Sequence, residues 1–176
     1  ELVLSGVTLD NATSTSLSKG LRVTGSSSVT NLKLLHPASI GISEGMTLSG
    51  HVDLGSNGEL DLTGPGEVKS TLNLSGGSLK ASESSLWSGL WSQSADASVE
   101  VAKDKTLRYG GGGHELGVHA LEIKGSGSLE LTAADSSLVL GDPQSHLKLT
   151  GNGSVPQVVV KVTPAEGRGL SITGQP

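Results

Sequence analysis

The sequence predicts an all-β chain wound as a parallel β-solenoid, and three observations carry that expectation. One short phrase, apolar–x–apolar–(Ser/Thr/Lys)–Gly, recurs along the chain. Its two aliphatic residues stand two apart, the strand period, which turns both toward one face and the polar residue between them toward the other. The 176 residues also hold no phenylalanine, one tyrosine and two tryptophans against 26 glycines. A core nearly free of aromatics has to be filled by Leu, Val and Ile, which suits thin repeated layers better than one bulky centre.

Taken in order, the phrase occurs as LVLSG at Leu2–Gly6, LRVTG at Leu21–Gly25, MTLSG at Met46–Gly50 and LDLTG at Leu60–Gly64. It returns as LNLSG at Leu72–Gly76, LEIKG at Leu121–Gly125, LKLTG at Leu147–Gly151 and LSITG at Leu170–Gly174. Looser relatives start at Leu32, Val99, Leu129 and Leu138. The closing glycine supplies a turn. No interval sustains a helical period, and serine and glycine are poor helix formers. A sandwich or barrel of hairpins would carry tight Asn-Gly turns. Such pairs stand at Asn57-Gly58 and Asn152-Gly153, while most turns read Ser-Gly or Gly-Ser. Repetition of one phrase therefore favours coils of about 20–25 residues whose leucines stack on those of the coil below.

The chain reads as one solenoid domain over 1–176. It starts in mid-pattern at ELVLSG, as a fragment of a longer rod would. The pattern lapses between Leu72 and Leu121, so residues 77–119 are expected to form an irregular excursion or loop. That stretch holds both tryptophans, the tyrosine, a run of four glycines and two of the five histidines.

A formal net charge of −5 argues against a nucleic-acid partner, which calls for a basic patch. No apolar run is long enough to span a bilayer, and no direct membrane insertion of this chain is expected. Without cysteine there are no disulfide staples and no thiolate metal sites.

Four stretches invite a chemical reading. In LRYGGGGHELGVHA, residues 107–120, His114 and His119 are five apart rather than the four that present two imidazoles to zinc from one helix face. The same glycine run lacks the lysine and the helix of a phosphate loop, so a turn or tight corner is expected and no metal or cofactor. In SSLWSGLWSQS, Trp87 and Trp91 are four apart. They form either an aromatic platform for sugars or a partner protein, or a loop or short helix packed on the solenoid wall. On the first reading Trp87→Ala with Trp91→Ala leaves folding intact. VEVAKDKTLRY clusters Lys103, Asp104, Lys105 and Arg108, a grouping that could suggest a lyase base, but mixed charges beside a turn are the mark of solvated surface. Asn-x-Ser/Thr triplets at Asn11, Asn73 and Asn152 matter only in a eukaryotic secretory pathway.

Reiterated LxLxG and GSLxL phrases, as in SGGSLKA and GSGSLELTA, resemble the passenger regions of autotransporters and of two-partner-secreted, filamentous-haemagglutinin-like surface proteins of Gram-negative bacteria. The resemblance implies a single-stranded right-handed parallel β-helix, a cell-surface or extracellular location and an adhesive or structural role. It carries over no functional residue. The expectation that follows is a non-catalytic stalk and contact surface whose partner is a host- or neighbouring-cell protein or glycan, with self-association as a further mode. Its contact groups would come from the excursion: Trp87, Trp91, Tyr109 and His114. A polysaccharide-degrading enzyme on the same fold and a polymerising bactofilin-like scaffold are the alternatives.

Overall fold

The computed structural model describes residues 1–10, 12–13, 20–132, 137–139, 146–151 and 159–162. These residues form an all-β parallel solenoid of about six turns without a helix. The phrase at Leu170–Gly174 and the triplets at Asn11 and Asn152 lie outside them.

Each coil runs over three faces. Eight strands stack on the first: Leu2–Ser5, Leu21–Gly25, Ala38–Ile42, Glu59–Leu62, Ser78–Ala81, Ala97–Val101, Ala120–Gly125 and His146–Gly151. All adjacent pairs are parallel, and Leu60, Leu79, Val99 and Ile123 stand in one column. The steps of 19, 20 and 24 residues along that column are the coil lengths. On the second face Leu48, Val68, Trp87, Tyr109 and Leu131 form a column. On the third, Leu32, Val52, Leu72 and Trp91 do the same. Every member of these three columns is buried, so the core is a stack of apolar layers inside the coil.

Alternation along the strands puts the polar residues outside, where register decides which charges meet. Asp61, Lys80, Glu100 and Lys124 stand in one outward column of the first face, opposite signs at each step. At strand spacing of about 4.8 Å, like charges directly opposite would be unfavourable. On the third face the outward row bonds to itself. Asn73 Nδ2 donates to Asp53 Oδ1 at 3.2 Å, Ser75 Oγ donates to the same oxygen at 2.6 Å, and Ser94 Oγ donates to Asn73 Oδ1 at 3.2 Å. The terminal glycine of the phrase is required where coils meet closely. Gly125 has φ 109°, and a Cβ there would overlap the Val101 carbonyl of the coil beneath.

Residues 77–119 are not an irregular excursion. They build the strands Ser78–Ala81, Ser85–Trp87, Trp91–Gln93, Ala97–Val101, Thr106–Tyr109 and Gly113–Glu115, each paired in parallel with at least one neighbouring coil. The strand period persists there as Leu79/Ala81, Val99/Val101 and Leu107/Tyr109, all buried. The closing glycine lapses after Ser78–Ala81, Trp91–Gln93 and Ala97–Val101, whereas Ser85–Trp87 and Thr106–Tyr109 still run into Gly89 and Gly110. The phrase also falls on different faces: Leu60 on the first, Met46 at the start of the second, Leu72 on the third. Its irregular spacing follows from that.

At one corner the strands draw back along the rod, while the step between the inward residues of the two faces stays at four, as Leu48/Val52, Val68/Leu72 and Trp87/Trp91. In the coil of Thr47–Gly55 the second and third faces are one continuous strand. In the next coils Glu67–Val68 is separated from Thr71–Ser75 by Lys69 and Ser70, Ser85–Trp87 from Trp91–Gln93 by Ser88–Leu90, and Thr106–Tyr109 from Gly113–Glu115 by Gly110–Gly112. That is where the aromatic residues sit.

Candidate functional site

The corner of residues 88–90 decides the fate of the two tryptophans. Strand alternation turns Trp87 inward, the chain bends through Ser88, Gly89 and Leu90, and alternation resumes with Trp91 inward again. The apolar residue left outside is Leu90, 56% exposed. Trp87 takes the column place held by Val68 below it, and Trp91 that held by Leu72.

All four sequence-derived contact residues meet in the lumen. Trp87, Tyr109 and His114 are fully buried and Trp91 is 3% exposed. Trp91 is the centre of the group: it stacks on Tyr109 at 4.3 Å between ring centroids, meets Trp87 edge-on at 6.3 Å and His114 edge-on at 5.9 Å. The expectation that they form an outward contact surface is therefore corrected. They bind one another, because the corner preserves the inward phase of both strands. Neither an outward platform nor a helix packed on the wall describes them.

Their polar atoms are held with economy. Trp87 Nε1 donates to the Ser70 carbonyl at 2.7 Å, and the Trp91 backbone N–H donates to the Tyr109 hydroxyl at 3.1 Å. Gln93 Nε2 donates to the Ala120 carbonyl at 2.7 Å, which fixes the amide so that Oε1 meets His114 Nε2 at 3.0 Å. An amide oxygen only accepts, so His114 carries its proton on Nε2 and leaves Nδ1 as a bare acceptor. That Nδ1 and the Nε1–H of Trp91 are buried without hydrogen-bond partners. Burial pushes the His114 pKa below the ordinary imidazole value, opposed by the Trp91 main chain, which favours the charged form without reaching hydrogen-bonding geometry at Nδ1. Gln93 and Ser70, which complete the group, escape sequence reading. Gln93 occupies the column position of Leu74 and looks like an interruption rather than a partner.

The glycine run is the corner one coil further on. A Cβ on Gly111 would lie 2.5 Å from the Gly89 carbonyl oxygen and 2.6 Å from both the ring and the hydroxyl of Tyr109. A Cβ on Gly110 would find only ordinary contacts, the nearest at 3.4 Å. Gly111→Ala should therefore cost about 1–3 kcal/mol by overpacking, whereas Gly110→Ala should stay within about 0.5 kcal/mol. Thermal melts of the two variants check this, and equal losses would refute the corner assignment.

The charged stretch disperses over the surface. Lys103 and Asp104 occupy an exposed turn, Lys105 Nζ pairs with Glu83 Oε2 at 2.6 Å, and Arg108 Nε reaches Glu130 Oε2 at 3.4 Å. Exposed pairs of this kind contribute little, about 0–1 kcal/mol. His119 lies in the turn after Gly113–Glu115, its Nδ1 3.9 Å from Asp96 Oδ1, while His114 points into the lumen. The two histidines do not converge. Among the described residues no group of three or more His, Cys, Asp or Glu is placed to hold a metal ion.

Two surface depressions among the described residues bear on these groups. One, of about 340 Å3, runs along the corner between the third and first faces and is lined in part by Asn57, Gly58, Glu59, Asp96, Ser98 and Glu122. Glu59 and Glu122 are in register through Ser78 and Ser98, three strand spacings apart, roughly 14 Å. Carboxylate pairs that hydrolyse glycosidic bonds stand about 5–9.5 Å apart. The other depression, of about 390 Å3, opens on the third face beside Trp91, Ser92, Gln93, Gly113, Glu115 and Gly117.

Compared with protein-family models, with curated proteins and with solved structures, the chain matches none.

Proposed function

We propose that the chain is a non-catalytic segment of a cell-surface or secreted β-solenoid, similar in kind to autotransporter and two-partner-secreted passengers, serving as a stalk and as a contact surface. The observation that carries this reading is the division of labour between the faces of the wall. Largely apolar columns inside hold the coils together, while the outer rows spend their polar groups on one another, as Asp53, Asn73, Ser75 and Ser94 do. Such a wall is stiff, repeats along one axis and needs no partner to be stable, which suits a spacer. The phrase repetition and the absence of cysteine fit export of an unfolded chain.

Partners on this reading are proteins or glycans of a host or neighbouring cell, met by the outer rows and not by the buried aromatic group. Protease shaving of intact source cells tests the location. The chain is expected among the released peptides before lysis. Its appearance only after lysis would overturn the surface assignment and favour a cytoplasmic polymerising scaffold.

A further inference from the structure

The hydrogen-bonded wall of the third face is broken once among the described residues. Thr71–Ser75 pairs with Trp91–Gln93, and Gly113–Glu115 pairs with Ser137–Val139, yet no backbone ladder joins Trp91–Gln93 to Gly113–Glu115. A side-chain relay spans the gap instead: His114 to Gln93, and Gln93 to the Ala120 carbonyl. The 390 Å3 cleft lies outside this seam, and it is lined by residues of both strands. Behind it are the two buried polar atoms without partners, Trp91 Nε1 and His114 Nδ1.

We propose that this seam is an acid-operated opening in the solenoid wall, with His114 as its latch. Protonation adds an N–H at Nδ1, where the Trp91 main chain offers partial compensation without completing a hydrogen bond, and puts a charge into an apolar lumen, so that burial outweighs that compensation. The relay at Nε2 offers no relief, because Gln93 Oε1 already accepts there. The imidazolium is relieved by leaving the lumen through the seam. No ladder between the two strands has to break for this, which is what makes the seam, rather than any neighbouring level, the place that yields.

The surroundings favour that route. Inside, His114 faces Trp91, Gln93 and, by register, Leu138, none of them charged. Tyr109 closes the group from the second face through its stacking on Trp91. The charged groups lie outside: Glu115 on the same strand, Asp96 with His119, and Arg108 with Glu130. The carboxylate of Glu115 is exposed on the next position of the same strand, while Asp96 Oδ1 accepts the Ala120 N–H at 2.8 Å. Gly113 opens the strand and Gly117, at φ 60°, follows it; both supply backbone freedom for the swing.

The sign follows from linkage. A histidine held below its ordinary value when closed is fully accommodated above that value. The closed state then loses ground as pH falls through the ordinary imidazole value toward the lowered one. Over that window the open population rises by up to about tenfold per pH unit.

Both tryptophans of the chain sit in this group, so intrinsic emission reports on it directly. Titration from pH 8 to pH 4.5 should red-shift the emission while far-UV circular dichroism holds. Hydrogen exchange should accelerate in Trp91–Gln93 and Gly113–Glu115 but not in the first-face strands. His114→Leu and His114→Gln should each flatten the emission profile, and His119→Gln should leave it unchanged. Flat emission in the wild type, an acid transition that survives in a folded His114 variant, or loss of dichroism together with the emission would each overturn the proposal. Should neither His114 variant fold, local against global exchange in the wild type decides alone.

Discussion

Replacing Trp87 and Trp91 together by alanine is expected to lower the melting temperature by more than about 10 °C and to remove near-UV dichroism. Each indole fills a column position that leucine or valine occupies in the coil below, and neither has more than 3% of its surface exposed. Truncation of a buried tryptophan costs about 3–5 kcal/mol through lost transfer energy and the cavity left behind. The two rings touch, and Tyr109 stacks on one of them, so the double loss is coupled and not a simple sum. Against a total stability of about 5–15 kcal/mol the damage is severe. At about 2–4 °C per kcal/mol for a chain of this length, a large shift in melting follows. The expectation from sequence, that such a variant folds intact, is thereby reversed. A double variant melting within about 2 °C of wild type would show that the indoles carry no packing.

Leu74→Asp should abolish the cooperative β-sheet signal altogether. Leu74 is fully buried, facing Leu54 on the coil below and Gln93 on the coil above. A carboxylate there is stranded without a cation, and an uncompensated buried charge is among the costliest single changes. The adjacent residue gives the contrast. Asn73 points outward, donating to Asp53 Oδ1 and accepting from Ser94, so Asn73→Ala should lose about 1 kcal/mol or less. In a solenoid each coil is stabilised by its neighbours, so the loss at Leu74 carries to the coils on either side. Circular dichroism melts distinguish the two variants, and a wild-type melt for Leu74→Asp would mean that this phrase faces outward.

Much of the fold is legible in local pattern. Leu72-Asn73-Leu74 and Leu121-Glu122-Ile123 read as strands with one buried face, and they are. The glycine run reads as a corner, and Gly111 is one, packed against Tyr109. Residues 77–119 read as a loop only if the closing glycine is taken as the mark of a strand. Val99 and Val101 continue the first-face columns without a closing glycine, the strand ending in the turn Ala102–Lys105. Trp87 and Trp91 mislead for a related reason. Their spacing of four suits a helix turn or a single strand face equally well, and the structure gives them the inward step of four that Leu48/Val52 and Val68/Leu72 take in the coils below.

By itself, the sequence determined the class of structure: short strands, aliphatic inner faces, polar outer faces and coils stacked in parallel. These follow from side-chain period and turn chemistry, which act between near neighbours along the chain. Only the tertiary structure decided which coil rests on which residue, that the aromatic group is enclosed, and that the third-face ladder stops between Gln93 and Gly113. Those outcomes depend on register between strands about 20 residues apart and on how many residues each corner absorbs. One residue more or less at a corner turns every following side chain to the opposite face, and nothing in the local pattern specifies that count.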